Sequence, residues 1–266
     1  MQSSPRVQKC TILMKFTFAE KSTKTPEFQL EQHYDYEMEK GILSVLIPCF
    51  NEEGTILELI ARVLEQDCVG EVIVVDDAST DSSKAKILET TDARLSVIFL
   101  KKNSGKGNAI REAIGRATCP FVIIQDADLE YDPCEYPKFL KLLESDRADV
   151  VFGSRFLTSE HRRVLYYWHR LGNQILTTFS NMCTGLDLSD METCYKAMKR
   201  EVAQSLTLRE PRFGFEPEIT AKISKLNLRI FEVPISYYGR TYDEGKKIGW
   251  KDGVSALRCI IRYNLF

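Results

Sequence analysis

No run in this chain approaches the roughly eighteen consecutive apolar residues of a membrane-spanning helix, so none is expected. The start, Met1 to Lys24, interleaves Ser, Thr and Lys with one short apolar patch and has no leader-peptide core, which makes the cytoplasm the expected compartment. Charge of one sign is also missing. With 36 Lys and Arg against 38 Asp and Glu the formal net charge is −2, and nothing in that balance points to nucleic acid. Eight cysteines are scattered without a C-x-x-C pair, which argues against zinc or a disulfide framework and for reduced, structural thiols. There is no G-x-G-x-x-G at the first helix and no G-x-x-x-x-G-K-[ST] anywhere, so a dinucleotide oxidoreductase and a P-loop phosphohydrolase are both disfavoured. Internal repeats and low-complexity segments are absent too.

What is there is a strand–helix alternation. Residues 1–40 lack a sustained period and read as an amino-terminal extension, with one strand expected at Thr11 to Phe18, while 41–266 reads as a single domain. Leu43 to Pro48 forms an apolar strand closed by proline, and the next helix carries Ile56, Leu57, Ile60, Val63 and Leu64 on one face. Strands follow at Glu71 to Val75, Leu95 to Leu100, Phe121 to Asp126 and Asp149 to Phe152, with helices at Ser82 to Leu88, after Gly107, and at Pro133 to Leu143. Such alternation predicts an α/β fold, a doubly wound and mainly parallel sheet in one Rossmann-like domain.

The fourth strand ends in Asp126-Ala127-Asp128. Hard divalent cations favour carboxylate oxygens together with the oxygens of a substrate phosphate, so the pair is a candidate anchor for a metal and a diphosphate. Asp-x-Asp alone is weak, because one is expected by chance in a chain of this length. It gains weight from its neighbours: Asn51 and Glu52, Asp76 and Asp77, and Asn103 and Lys106 also stand at strand ends, where ligands of open parallel sheets gather. Gly105-Lys106-Gly107 reads either as a flexible helix entry or as a lysine and backbone amides set near a phosphate.

Pro48-Cys49-Phe50-Asn51-Glu52, Val75-Asp76-Asp77-Ala78-Ser79, Asn103 to Gly107, Asp126-Ala127-Asp128 and Gly153-Ser154-Arg155, in this order and spacing, resemble the family 2 glycosyltransferases of the GT-A fold. Within that family the chain is most similar to the branch of dolichyl-phosphate mannose synthases and bacterial polyprenyl-phosphate sugar transferases, from about Ile42 to Asn264. The resemblance implies that Pro48, Phe50 and Glu52 surround a nucleoside and that Val75 and Asp77 hold its base or ribose. It implies that Asp126 and Asp128, with Glu130 as a further ligand, bind Mg²⁺ or Mn²⁺ on the donor diphosphate, with Lys106 nearby. Arg155 matches an arginine facing the acceptor phosphate, for which a bidentate guanidinium is well shaped.

The second half bears on the acceptor. Val164 to Met182 reads as a helix with an aromatic and apolar stripe, flanked by His161, Arg162, Arg163, His169 and Arg170. Core packing is the favoured expectation for such a stripe; contact with an anionic membrane surface is the alternative. Arg163 and Arg170 are candidates for the acceptor phosphate, although the basic residues of this region do not align cleanly with the family pattern. Ser189 to Lys196 and Arg212 to Glu218 resemble further family blocks, which makes Asp190 and Glu192 candidate catalytic bases, with Glu216 behind them; capping and ion pairing around a turn is the structural alternative. Tyr237 to Gly249, after a strand at Leu228 to Val233, resembles the mobile basic segment that folds over the donor, with Arg240 and Lys246 or Lys247 on the diphosphate.

The expectation is thus a metal-dependent inverting glycosyltransferase moving a hexose from a nucleoside diphosphate sugar to a polyprenyl or dolichyl phosphate. It would work at the inner face of a membrane, by peripheral contact or through a membrane partner. Transfer to a saccharide hydroxyl is the alternative acceptor chemistry. A nucleotidyltransferase of the same sheet is disfavoured by the lack of a Gly-rich loop after the first strand, and a nucleotide-binding protein without turnover is the alternative of another class.

Overall fold

The computed structural model describes residues 39–157, 163–164, 166–240 and 250–265 of a compact unit spanning Tyr36–Phe266. The strand expected at Thr11 to Phe18, most of the 1–40 extension and the Lys246 and Lys247 pair lie outside the described residues.

Among the described residues seven strands form one sheet: β1 (Leu43–Cys49), β2 (Val69–Asp76), β3 (Leu95–Phe99), β4 (Phe121–Ile124), β5 (Val150–Ser154), β6 (Lys196–Lys199) and β7 (Ile230–Pro234), in the order β3-β2-β1-β4-β6-β5-β7. β1 pairs in parallel with β2 and β4, β2 with β3, and β5 with β7. Both faces of the central strands are covered by helices, so β1 and β2 are apolar runs rather than alternating patterns, with Val45, Leu46, Ile47, Val72, Ile73 and Val74 wholly buried.

β6 is antiparallel to both β4 and β5. Lys-Ala-Met-Lys carries no apolar run, so this strand left no periodic signal. Its burial is made possible by Lys196, which is fully buried and donates from Nζ to the carbonyls of Met191 (3.0 Å) and Thr193, above the Phe152 ring. Reversal of this one strand has a consequence for the site. β6 begins at the edge where the parallel strands end, so the Asp190 to Thr193 segment before it reaches the same ligand edge.

The helices are α1 (Ile56–Leu64), α2 (Ser83–Glu89), α3 (Lys106–Arg116), α4 (Tyr136–Glu144), α5 (Tyr167–Thr184), α6 (Arg200–Ser205), α7 (Phe215–Ser224) and α8 (Trp250–Leu265). α1 buries Ile56, Leu59, Ile60 and Val63 completely, and truncating one such side chain to Ala costs about 2–5 kcal/mol. At α2 the entry is fixed by Asp81, whose Oδ1 accepts from the Ser83 amide at 2.9 Å.

α5 corrects two expectations. It begins at Tyr167 rather than Val164, and its apolar stripe is not core: only Thr177 and Ser180 are buried, whereas Trp168 is 75% exposed, Ile175 59% and Met182 78%. These three recur every seven residues, so they lie along one edge of the helix. α8 packs beside α5 and α7 and has its own exposed stripe of Val254, Leu257, Ile261 and Leu265. No helix among the described residues is long and apolar enough to cross a membrane, and the seven cysteines described are free thiols.

Candidate active site

A cavity of about 1170 Å³ opens over the ligand edge of the sheet, between the strand ends on one side and α5 and α8 on the other. Pro48, Phe50 and Glu52 line it where β1 ends, and Asp77 does so where β2 ends. These two connections are stapled together. The Asn51 amide donates to Ser79 Oγ at 3.0 Å, the Thr80 amide donates to Asn51 Oδ1 at 2.8 Å, and the Glu52 amide donates to Ser83 Oγ at 2.8 Å.

Asp77 has work inside the protein. Its Oδ1 accepts from the Ser104 amide (2.7 Å) and its Oδ2 from the Gly105 amide (2.6 Å), so it holds the loop before α3 in place. That loop needs its glycine: Gly105 has φ +91°, and a Cβ there would lie 2.2 Å from the Pro211 carbonyl oxygen. Val75 does not line the cavity. It is wholly buried within β2, facing Pro48 and Ile98 across the sheet, because a residue one step before the strand end still lies in the core.

Lys106, the first residue of α3, sends Nζ to Asp126 Oδ1 at 2.8 Å and to Glu216 Oε1 at 2.7 Å. Burial would push the Asp126 carboxyl up, but Lys106 outweighs it and holds the group below its ordinary range. Asp128 has the opposite fate: burial, then the charges of Asp126 and Glu130, push it up to about 7 against the pull of Arg240. Arg240 sits over this negative charge, 2.7 Å from Asp128 and 3.3 Å from both Glu52 and Glu130.

A divalent cation fits part of this set. Mg²⁺ is commonly held by one or two carboxylates with phosphate oxygens completing the sphere, and Asp126 and Asp128 provide two carboxylates whose mutual repulsion a cation would relieve. Three side chains do not converge: among the described residues no group of three or more His, Cys, Asp or Glu is placed to hold a metal. Glu130 is engaged elsewhere, its Oε1 accepting from the Arg240 amide at 2.7 Å and its Oε2 from the Tyr237 hydroxyl at 2.7 Å.

At the end of β5, Arg155 grips Asp190 with two parallel bonds, Nε to Oδ2 at 2.6 Å and Nη2 to Oδ1 at 2.7 Å. Asn173 of α5 adds a third contact to Oδ1 at 3.1 Å. Asp190 is wholly buried, so its oxygens face protein donors and not the cavity. Arg155 itself lines the cavity, with its guanidinium 5.1 Å from the Tyr237 ring centre. Arg163 and Arg170 line it too; Arg163 donates to the Gly239 carbonyl at 3.1 Å, and Arg170 lies 5.8 Å from the Phe156 ring centre.

Glu192 and Glu216 stand on the cavity wall near Lys106. Burial and the charge of Glu216 push the Glu192 carboxyl up to about 8, against the pull of Lys196 and Arg155. Two contributors escaped the motif reading, Asn173 and Tyr237's hydroxyl. The pair Asn173 and Thr177, four apart on α5 and bonded to each other at 3.0 Å, is a signal of an inward polar stripe.

This sheet order, with ligand-facing carboxylates after β4 and a single reversed strand, defines a GT-A type fold. The family model for Glycosyl transferase family 2 matches residues 44–207, and the chain belongs to that family. It is similar to glycosyltransferase AglJ of Haloferax volcanii, 30% identical over 197 residues that cover 74% of this chain and 63% of the relative. It is also similar to the undecaprenyl-phosphate 4-deoxy-4-formamido-L-arabinose transferase of Proteus mirabilis, 28% identical over 214 residues that cover 77% of this chain and 62% of that one. The chain therefore spans less than two thirds of the length of these curated relatives. Among solved structures, glucosyl-3-phosphoglycerate synthase from Mycobacterium tuberculosis shares the fold, with a TM-score of 0.67 and 20% identity over 84% of this chain and 81% of that one.

Proposed function

We propose that the protein is an inverting, metal-dependent glycosyltransferase that moves a hexose from a nucleoside diphosphate sugar to a polyprenyl phosphate. The observation that carries this reading is the two-sided cavity. Carboxylates and Lys106 stand at the strand ends on one wall, while Arg155 and the apolar, aromatic residues of α5 stand on the other. The first wall suits a diphosphate with its cation, and the second suits a phosphate on a greasy chain. The Mycobacterium tuberculosis synthase has been crystallised with Mn²⁺ and UDP-glucose, and the Proteus mirabilis relative is named for an undecaprenyl-phosphate acceptor, both of which accord with the proposal.

In this reading Pro48, Phe50, Glu52 and Asp77 bind the nucleoside, and Asp126 and Asp128 hold Mg²⁺ or Mn²⁺. When bound, the cation offsets charge on the departing nucleoside diphosphate. Arg240 covers the diphosphate and, with Lys246 from the same segment, excludes water. Arg155 orients the acceptor phosphate, and buried Asp190 keeps Arg155 in that pose. A phosphate acceptor, with a second pKa of about 6, is already largely ionised at neutral pH, so it needs positioning more than deprotonation. A single displacement at the anomeric carbon then inverts its configuration. Domain 41–266 carries the whole reaction in this proposal, and the exposed stripes of α5 and α8 give it a peripheral footing on a membrane.

Incubating the protein with Mn²⁺, labelled UDP- and GDP-sugars and polyprenyl phosphate tests the proposal. Label is expected in the organic phase. Label confined to added saccharides would instead establish the hydroxyl acceptor, and donor binding without any turnover would leave a nucleotide-binding protein.

A further inference from the structure

β5 and β7 are neighbouring parallel strands, and the residues that follow them meet on the cavity wall. Arg155 comes straight after β5 and Tyr237 three residues after β7, with the Ile235 amide donating to the Ser154 carbonyl at 3.0 Å to keep the two connections together. Asp190 takes two of the three guanidinium nitrogens of Arg155, Nε and Nη2. The third, Nη1, donates to no group among the described residues and is not buried, so it is the edge left for a ligand. A two-pronged pair fixes a guanidinium along one edge, yet its plane can still tilt about that edge. A ring against the flat face prevents the tilt. Tyr237 supplies that ring, its centre 5.1 Å from the guanidinium carbon. Phe156 lies 5.7 Å away, but it is joined to Arg155 in sequence and cannot fix it relative to the rest of the wall.

Tyr237 is itself held from its far end. Its hydroxyl donates to Glu130 Oε2 at 2.7 Å, and its ring rests on that of Tyr131, centre to centre 5.3 Å. Glu130 also ties down the residues that follow, its carbonyl accepting from the Tyr238 amide at 2.9 Å and its Oε1 from the Arg240 amide at 2.7 Å. We propose that Tyr237 is a positioning residue for acceptor recognition: its ring, tethered through its hydroxyl to Glu130, sets Arg155 so that Nη1 faces the acceptor phosphate. The inference rests on the lipid-phosphate reading above. Attraction between a guanidinium and a ring face gains weight where water is excluded, and the Arg155 side chain is only 16% exposed. One side chain thereby joins the carboxylates of the donor wall to the arginine of the acceptor wall.

The test titrates the full chain, in Mn²⁺ with UDP or GDP present, with geranyl phosphate as a short, water-soluble isoprenyl phosphate and with geraniol as the same chain lacking the phosphate. The series is repeated with Tyr237→Phe, with pentafluorophenylalanine at the same position, and with Tyr237→Leu. Geranyl phosphate affinity is expected to stay within about threefold in Tyr237→Phe, which keeps the ring face, and to fall about fivefold or more in the fluorinated protein and in Tyr237→Leu. Geraniol and the nucleoside diphosphate are expected to bind all four proteins within about twofold. In steady state the loss should appear in acceptor KM, with kcat within about threefold. In an Arg155→Gln background, Tyr237→Leu should weaken geranyl phosphate by no more than about a further twofold. The plain and fluorinated rings have nearly the same shape, so their comparison stands even if Tyr237→Leu fails to fold. Equal affinities with those two rings, a parallel loss of geraniol, or full additivity with Arg155→Gln would each overturn the role of Tyr237. If geranyl phosphate does not bind the unsubstituted protein while UDP or GDP does, the lipid-phosphate reading itself fails and the role of Tyr237 falls with it.

Discussion

Arg155 and Asp190 form a two-pronged ion pair in which the carboxylate is wholly buried and the guanidinium reaches the cavity wall. A pair of this kind is worth little as a source of stability, yet breaking it is costly because the surviving charge is left uncompensated. Asp190→Ala is therefore expected to destabilise the protein by about 3–5 kcal/mol, read by urea denaturation. Asp190→Asn should cost less, since the amide oxygen still accepts one of the two bonds. With polyprenyl phosphate as acceptor its effect should fall mainly on acceptor KM. A loss of kcat with KM unchanged would make Asp190 a proton acceptor after all.

Arg240 stands where a cation is wanted. Its single positive charge bridges Asp128, Glu52 and Glu130, so Arg240→Ala should leave the three carboxyls in greater mutual repulsion. The expected cost in metal-free buffer is about 1–3 kcal/mol of stability. Mn²⁺ should then raise the melting temperature of the variant more than that of the unsubstituted protein. Equal Mn²⁺ shifts in both would show that the guanidinium and the cation do not share this charge.

The parts of the fold that were legible are those whose physics is local. Apolar runs such as Leu43 to Ile47 and the helical spacing of Ile56, Ile60 and Val63 announce themselves because burial fixes the residue type at each position. β6 did not, since its Lys-Ala-Met-Lys sequence has no apolar run and is buried by pairing between β4 and β5, strands far from it in the chain. The stripe on α5 was legible as a stripe but not as exposed, because periodicity reports a helix face and not what covers it. At the site, motifs located Asp126, Asp128, Arg155 and Arg240 on one cavity. They could not reveal that Asp77 also holds the Ser104 and Gly105 amides, or that Glu130 is bound to Tyr237, since those bonds join segments far apart in the chain.

Glu192 gives stability a definite pH dependence. Its carboxyl is raised from 4.5 to about 8 by burial and Glu216, with Asp190 adding to the rise and Lys196 and Arg155 opposing it. Between those values the folded state holds a proton that the unfolded state has lost, so the contribution of this group to stability falls as pH rises through the window. Glu192→Gln, which cannot ionise, should remove that fall and be more stable than the unsubstituted protein at pH 8 by about 1–2 kcal/mol. Urea denaturation from pH 5 to pH 8 measures both slopes, and parallel slopes would show that Glu192 ionises normally.

The outward edge of α5 should decide how the protein meets a lipid acceptor. Trp168, Ile175 and Met182 lie seven residues apart and are mostly exposed, and α8 beside them exposes Val254, Leu257, Ile261 and Leu265. Burying apolar area in the interface of a bilayer gains about 25 cal/mol per Å², so a few such side chains suffice for reversible binding when lipid is in excess. The protein is expected to sediment with anionic vesicles, and Ile175→Glu with Met182→Glu should reduce the bound fraction severalfold while leaving the melting temperature within a few degrees, because neither side chain is in the core. The same double variant should keep its affinity for nucleoside diphosphate, whose binding residues are at the strand ends. Activity on a short, water-soluble polyprenyl phosphate should then survive where activity on vesicle-borne acceptor is lost. Equal loss on both acceptors would place these residues in the catalytic cavity's own architecture and remove the case for a membrane footing.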